Sequence, residues 1–234
     1  MSSYYNEIDP YAAQWLRNLI ARGLIADGDV DERSIVDVKA DDLAGYRQCH
    51  FFAGIGGWSY ALRLAGWPDD QEVWTGSCPC QPFSSAATFR AKRSEDYRHL
   101  WPHWSRLIVA NRPRVVFGEQ VVDAGDWIDE ICDDMEGVGY QVGAAVLPAC
   151  GFGFDHARHR IYFVCDSDCD SESSIARNAK KMDWVPRHRG IAQELALEDG
   201  LPSRVGAMRA YGNAIVPQVA AEFIGAYLDV KAAA

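Results

Sequence analysis

Gln48-Cys-His-Phe-Phe-Ala-Gly-Ile-Gly-Gly57 is the stretch that decides the fold. Residues 48–52 read as a short apolar strand. Residues 53–57 are a glycine-rich turn, and residues 58–65 continue with helical periodicity until Gly66 stops them. A strand, a glycine turn and a helix make the first half of a βα unit. In such a unit the glycines let a ligand approach the backbone, and the helix N-terminus favours an anionic group. Taken alone, the turn also serves tight helix–strand packing.

Outward from this unit, apolar strand-like runs alternate with amphipathic ones. Residues 4–8 (YYNEI) read as a strand. Residues 11–23 read as a helix with Trp15, Leu16, Leu19 and Ile20 on one face. Downstream, strands are expected at 72–76 and 114–119, helices at 100–110 and 127–135, and a closing strand pair at 140–147 and 160–165. A last helix is expected over 214–230, with a frayed tail after it. Hydrophobic strands alternating with helices predict an α/β fold: a mostly parallel sheet covered by helices. From Asp166 to about Pro202 the periodicity fails, and this segment reads as a small insertion. The expected division is a main domain from 1–165 plus 204–230, with 166–203 inserted.

The composition agrees with such a domain. The chain has 234 residues, 48% hydrophobic and 24% charged, enough apolar content for a core and not that of a disordered tail. No apolar run approaches the ~20 residues of a membrane span. The first residues carry no secretory pattern. Seven cysteines, without small-scaffold spacing, fit a reduced cytoplasmic protein better than a disulfide framework. The net charge of −10 argues against nucleic acid when read alone. The charge is uneven, however. Residues 84–114 carry Arg90, Lys92, Arg93, Arg98, Arg106, Arg112 and Arg114 against Glu95 and Asp96, and 173–209 are also net basic, whereas 119–140 hold acids and no base. A polarised surface of this kind can meet a phosphate backbone on one face, or can simply be uneven.

Four further segments carry candidate chemistry. Gly76-Ser-Cys78-Pro79-Cys80-Gln81-Pro82-Phe83-Ser84 follows a strand, where parallel sheets place their active sites. A thiol attacks only as thiolate, and a free Cys has a pKa of ~8.5, so a reactive one needs nearby cations or helix-end amides. A metal pair lacks a second Cys/His pair at ligand spacing, and no metal is expected; a buried structural cysteine remains the other reading. Phe117-Gly118-Glu119-Gln120-Val121 ends another strand with an acid, which can act as a general acid if held protonated or can be a solvated loop residue. In His156-Ala-Arg158-His-Arg160, the two arginines are two apart on an expected strand and so share a face. Paired guanidiniums suit an anion or a polarised carbonyl, or mark a charged edge strand. Tyr211-Gly212-Asn213-Ala214 opens the last helix as an N-cap.

Taken together and in this order, the segments resemble the cytosine-carbon-5 DNA methyltransferase family, with motifs spread over residues 51–220. The resemblance implies a Rossmann-like, seven-stranded S-adenosylmethionine-dependent methyltransferase sheet with a small target-recognition insertion. It implies S-adenosyl-L-methionine against the glycine turn, with S-adenosyl-L-homocysteine as product, and a cytosine flipped out of double-stranded DNA. By the same resemblance Cys80 attacks carbon 6 of the ring, Glu119 serves ring nitrogen 3, Arg160 holds the carbonyl oxygen, and Arg158 positions the acid and the nucleophile loop. Phe52, Gly54, Gly56, Pro79 and Asn213 fall on cofactor-binding positions. Gln81, Ser84, Arg90, Lys92, Arg93 and Arg98 fall on the nucleic-acid side of the catalytic loop.

One departure is large. In the family an acid strand and then a Gly-Asp turn follow the glycine motif, and here no room exists for them. Asn6-Glu7-Ile8-Asp9-Pro10 and Gly28-Asp29-Val30-Asp31 resemble those two elements, yet both precede the glycine motif. The reading is a circular permutation in which Glu7 would bind the ribose hydroxyls, Ile8 and Phe52 would contact the adenine, and Asp29, with Val30 beside it, would accept from its exocyclic amine. Smaller departures are Gln120, where the family usually has Asn, and His156, where it usually has Gln. The expected enzyme is a monomeric cytoplasmic DNA methyltransferase of a bacterial or phage-infected cell, with a short recognition segment whose acidic start faces away from DNA. Transfer of a modified group from a cofactor derivative, action on RNA, and a catalytically silent nucleic-acid-binding protein are the alternatives.

Overall fold

The strand that enters the glycine turn, β3 (Gln48–Phe51), sits inside a seven-stranded sheet. On one side lie β1 (Ser3–Asn6) and then β2 (Gly28–Asp31). On the other lie β4 (Val73–Gly76), β5 (Val115–Val121), β7 (His159–Asp166) and β6 (Gln141–Pro148). The order is β2-β1-β3-β4-β5-β7-β6. The first five strands are parallel, and β7 runs antiparallel to both β5 and β6. The expected mostly parallel α/β sheet is therefore present. The structure is a computed structural model that describes residues 2–79, 99–122, 125–154, 158–168 and 214–233, with backbone alone for 125–127.

The central strands β1, β3, β4 and β5 bury both faces, as parallel strands do, whereas the edge strands β2 and β6 are partly exposed. On one face Tyr4, Phe51, Trp74, Val116 and Phe163 pack against α3 (Trp101–Asn111) and α4 (Gly125–Glu136). On the other, Val73, Phe117, Tyr162 and Val164 pack against α2 (Gly57–Leu64) and α5 (Pro217–Ala233). Tyr5 on that second face packs with Trp15, Leu16 and Leu19 of α1 (Pro10–Ala21). α1 starts where it does because Asp9 caps it, Oδ1 accepting from the backbone of Tyr11 at 2.9 Å, with Pro10 pre-set for the first helical position.

Glycines set two close approaches. A Cβ on Gly57 would lie 2.8 Å from Ile215, so only glycine lets α2 meet the chain entering α5. A Cβ on Gly118 would overlap the ring of Phe163, so the residue before Glu119 is one that lets β5 and β7 close.

Four expectations are corrected. The last helix begins at Pro217 and runs to Ala233, because Pro217 supplies a fixed φ at the first position and Lys231 ties the C-terminal turn to Asp166 and Asp168. The tail expected to fray is helical as far as Ala233. Arg158 precedes β7 and has a positive φ of 23°, so strand alternation does not relate it to Arg160. Asp166, read as the exposed start of the insertion, is the buried last residue of β7, and its Oδ2 accepts from Tyr227 at 2.8 Å.

Candidate active site

The C-terminal ends of the parallel strands gather most of the described candidate residues. β3 ends in Phe51, and the turn that follows bends through Phe52 (φ 51°), Gly54 (φ 55°) and Gly56 (φ 82°). Gly54 faces open space, since a Cβ there would meet nothing within 4 Å. Glu7, one residue past β1, reaches across to this turn. Its Oε2 accepts from the Gly54 amide at 2.7 Å, and its Oε1 accepts from the Asp9 amide at 2.8 Å. Burial raises the Glu7 pKa, and the two amides oppose that shift. Next to it Ile8 is 63% exposed. Phe52 packs edge-on to Trp104, at 6.2 Å between ring centroids. An open glycine backbone, a half-buried carboxylate and an exposed aliphatic side chain thus share one cleft edge. That set suits a ligand with hydroxyls and a flat apolar ring.

Asp29 follows Gly28 in the Gly-Asp pair. It lies within β2, and its Oδ2 accepts from the Tyr46 hydroxyl at 2.8 Å. Val30 points to the other face, against the α1 core. The acid at the strand's end is Asp31, which takes Arg33 through both oxygens and the Tyr4 hydroxyl. Asn6 fastens this exit by donating to the carbonyls of Asp31 and Arg33.

Glu119 stands at the end of β5, 7% exposed. Arg160 donates from Nε to its Oε1 at 2.8 Å. Arg158 acts on it electrostatically, and Ser77 also favours its charged form. Burial pushes its pKa up, and Arg160, Arg158 and Ser77 pull against that. The neutral acid therefore persists to higher pH than in an exposed glutamate. Arg158 also donates to the carbonyl of Ala214 at 2.7 Å and so holds the chain entering the last helix.

Beside this acid lies the stem of the nucleophile loop. Cys78 is buried and Pro79 exposed. Gln120 donates to the Cys78 carbonyl at 3.1 Å, so the residue that departs from the family pattern holds the backbone two positions before Cys80. Cys80, Gln81, Ser84, Arg90, Lys92, Arg93, Arg98, His156 and Asn213 lie outside the described residues. Sequence reasoning misses Ser77 and Trp58. Their one available signal is position: Ser77 is inside the cysteine loop, and Trp58 follows the glycine turn directly.

A parallel sheet with a glycine turn, a half-buried carboxylate and an acid–arginine pair along one edge is an α/β sheet of the kind that binds its ligands at the strand ends. The family profile of C-5 cytosine-specific DNA methylases matches residues 66–189, more than half of the chain. The chain belongs to that family. It is 27% identical over 172 residues to the type II methyltransferase M.HhaI of Haemophilus parahaemolyticus, a match covering 56% of this chain and 52% of that protein. It is 35% identical over 101 residues to M.Bsp6I of Bacillus sp. (strain RFL6), covering 41% and 32%. The chain thus spans about half the length of the first of these relatives and about a third of the second. Among solved structures, a DNMT2 variant of Spodoptera frugiperda aligns with a TM-score of 0.48 at 12% identity, over 76% of this chain and 45% of that one. The Entamoeba histolytica methyltransferase EhMeth aligns with 0.45 at 14% identity, over 72% and 54%. Among the described residues no helix is long and apolar enough to cross a membrane, and no cluster of metal-ligating side chains is found.

Proposed function

We propose that this chain is a DNA cytosine-5 methyltransferase that uses S-adenosyl-L-methionine. The observation that carries this is the buried Glu119–Arg160 pair beside the cysteine loop stem, on the same sheet edge as the glycine turn. The cleft fits the cofactor. Glu7 would accept from the ribose hydroxyls, Ile8 and Phe52 would flank the adenine, the exposed Asp29 would accept from its exocyclic amine, and Gly54, Gly56, Pro79 and Asn213 would line the rest. When bound, the cofactor supplies an electrophilic methyl group.

The chain's own residues then do the following. Cys80, as thiolate, adds to carbon 6 of a flipped-out cytosine. Glu119 donates a proton or hydrogen bond to ring nitrogen 3, so the electron pair displaced from the ring double bond develops at carbon 5. Arg160 pairs with the carbonyl oxygen and Arg158 keeps the acid and loop in register. After carbon 5 takes the methyl group, loss of its proton restores the double bond and expels Cys80. Gln81, Ser84, Arg90, Lys92, Arg93 and Arg98 would meet the duplex, and residues 166–203 would read the site.

The N-terminal strands are part of the same proposal. The family order places the glycine motif first and the two other cofactor strands second. Here the two strands come first, and everything from β4 onward keeps its order. One cut in a closed ring cannot give that arrangement, so the rearrangement is an exchange of two neighbouring segments and not the circular permutation expected from the sequence. Its support is that β1 and then β2 lie beside β3 on the side away from β4, and that the family match begins at Gly66, beyond the exchanged part.

The test is incubation with tritiated S-adenosyl-L-methionine and unmethylated duplex DNA, followed by digestion to nucleosides. Labelled 5-methylcytosine is the expected product, and Cys80→Ser is expected to abolish it while keeping cofactor binding. Label in another nucleoside, or none, would overturn the assignment.

A further inference from the structure

The glycine turn has two sides. Its open side is Gly54, where a Cβ would meet nothing within 4 Å. Its packed side is Ala53 and Ile55, both buried in a cluster against which Ala214 packs. One residue further, Ile215 lies so close to Gly57 that a Cβ on the glycine would come within 2.8 Å of it. The chain entering α5 is therefore the backing of the turn. Glycines have wide backbone freedom, so a turn made of them keeps one shape only where something packs behind it.

Arg158 holds that backing. Its Nη2 donates to the Ala214 carbonyl at 2.7 Å. Pro217, three residues on, has no N–H to offer this carbonyl. The arginine reaches it through an uncommon backbone conformation. Its φ of 23° is one that side-chain-bearing residues seldom adopt, and residues so held gather at functional positions. The Ala149 amide pins the conformation by donating to the Arg158 carbonyl at 3.3 Å.

We propose that Arg158 is a positioning residue of the cofactor cleft, bracing the entry of α5 against the glycine turn. This role is separate from its effect on Glu119. A charge acts on an acid at a distance, whereas a donor at 2.7 Å fixes a stretch of backbone. Cofactor affinity thus depends on a residue two positions from Arg160, at the catalytic end of β7. By linkage, a cofactor seated on the open side of the turn tightens the brace behind it.

The proposal rests on the cleft holding S-adenosyl-L-methionine, and its test separates the two ideas. Calorimetry with S-adenosyl-L-homocysteine and DNA-free protein reads the affinity. Arg158→Met keeps the stem and removes the donors. It should weaken binding about tenfold, as a lost hydrogen bond from a charged group does. Arg158→Lys, which can still donate, should recover most of that loss. An Arg158→Met protein that is folded by thermal melting and binds within twofold of wild type overturns the proposal. It does so even if single-turnover methyl transfer falls, because Arg158 then serves the acid alone. A second reading uses the wild type and so survives an unfolded variant. Saturating S-adenosyl-L-homocysteine should slow amide hydrogen exchange over residues 215–220, behind the turn. Unchanged exchange there overturns the brace while leaving the cofactor assignment intact. A wild-type protein that binds no S-adenosyl-L-homocysteine overturns the proposed function, and the brace with it.

Discussion

Glu7 and Glu119 are the same residue at the same kind of place, just past or at the end of a parallel strand. Both have burial raising their pKa. Their partners differ. Glu7 is met by two backbone amides, those of Asp9 and Gly54, which belong to its own loop and to the glycine turn. Glu119 is met by two arginines from one segment and a serine from another. Amides fix a carboxylate in space and leave its remaining lone pairs for a ligand's hydroxyls. Guanidiniums add charge that can compensate a proton's departure. The first environment builds a binding group and the second a group that trades a proton.

Breaking the comparison at its reactive end should give the largest effect. Glu119→Gln keeps the shape and removes the titrating group, so methyl transfer should fall about 10²- to 10⁴-fold, the usual range for a general acid. Cofactor affinity, measured by calorimetry, should hold; an equal loss of affinity would mean that the two glutamates do not divide the work. At the other end, Glu7→Ala should weaken cofactor binding by about 1–3 kcal/mol, a charged hydrogen-bonding group lost, while the rate at saturating cofactor stays near wild type. A rate loss without an affinity loss would reverse the assignment.

The strand between the two acids offers a sharper control. His50 on β3 is fully buried, hydrogen-bonded to Thr75 at 2.8 Å, and burial pushes its pKa down to about 3. A depressed histidine stabilises the fold above its unfolded value of ~6.5 and loses that contribution as pH falls toward its folded value. From pH 6 to 4.5 the wild type should lose up to ~1.4 kcal/mol of unfolding free energy per pH unit that His50→Asn does not lose. Both acids act with the opposite sign, because a raised carboxyl takes up its proton earlier in the native state. Equal slopes in denaturant titrations of the two proteins would show that His50 is charged when folded. The smallest effect is expected at Gln120→Ala, which removes the bond to the Cys78 carbonyl. About 1 kcal/mol, or a several-fold slower single turnover, should follow, with cofactor affinity unchanged.

Much of this contrast is legible in the sequence, because strand ends and glycine turns are local signals. The alternation from residue 48 outward locates six of the strands and the helix after the turn, and it marks Glu119 as a strand-terminal acid. What stays hidden depends on contacts between distant segments. Nothing near Asp29 announces Tyr46, seventeen residues on. Nothing near Arg158 tells that its backbone leaves the strand region and turns to hold Ala214. Asp166 reads as the first of a run of acids, and only the packing of the last helix shows it to be a buried anchor. Ser77 reads as a spacer between glycine and cysteine, since its partner Trp58 lies 19 positions away.

β7 has its arginine end at the site and its other end at the opposite edge of the sheet. Arg114, Lys231 and Tyr227 fasten the chain at Asp166 and Asp168, and Arg158 fastens it again at Ala214. The scaffold thus clamps the chain on both sides of residues 169–213. Joining two fixed ends by a segment grows only logarithmically harder with its length, about 0.6 kcal/mol per doubling. A domain so arranged can exchange that stretch for a longer or different one with little effect on its own stability. What stands between residues 168 and 214 can therefore change in evolution as a replaceable cassette, while the frame on either side stays the same.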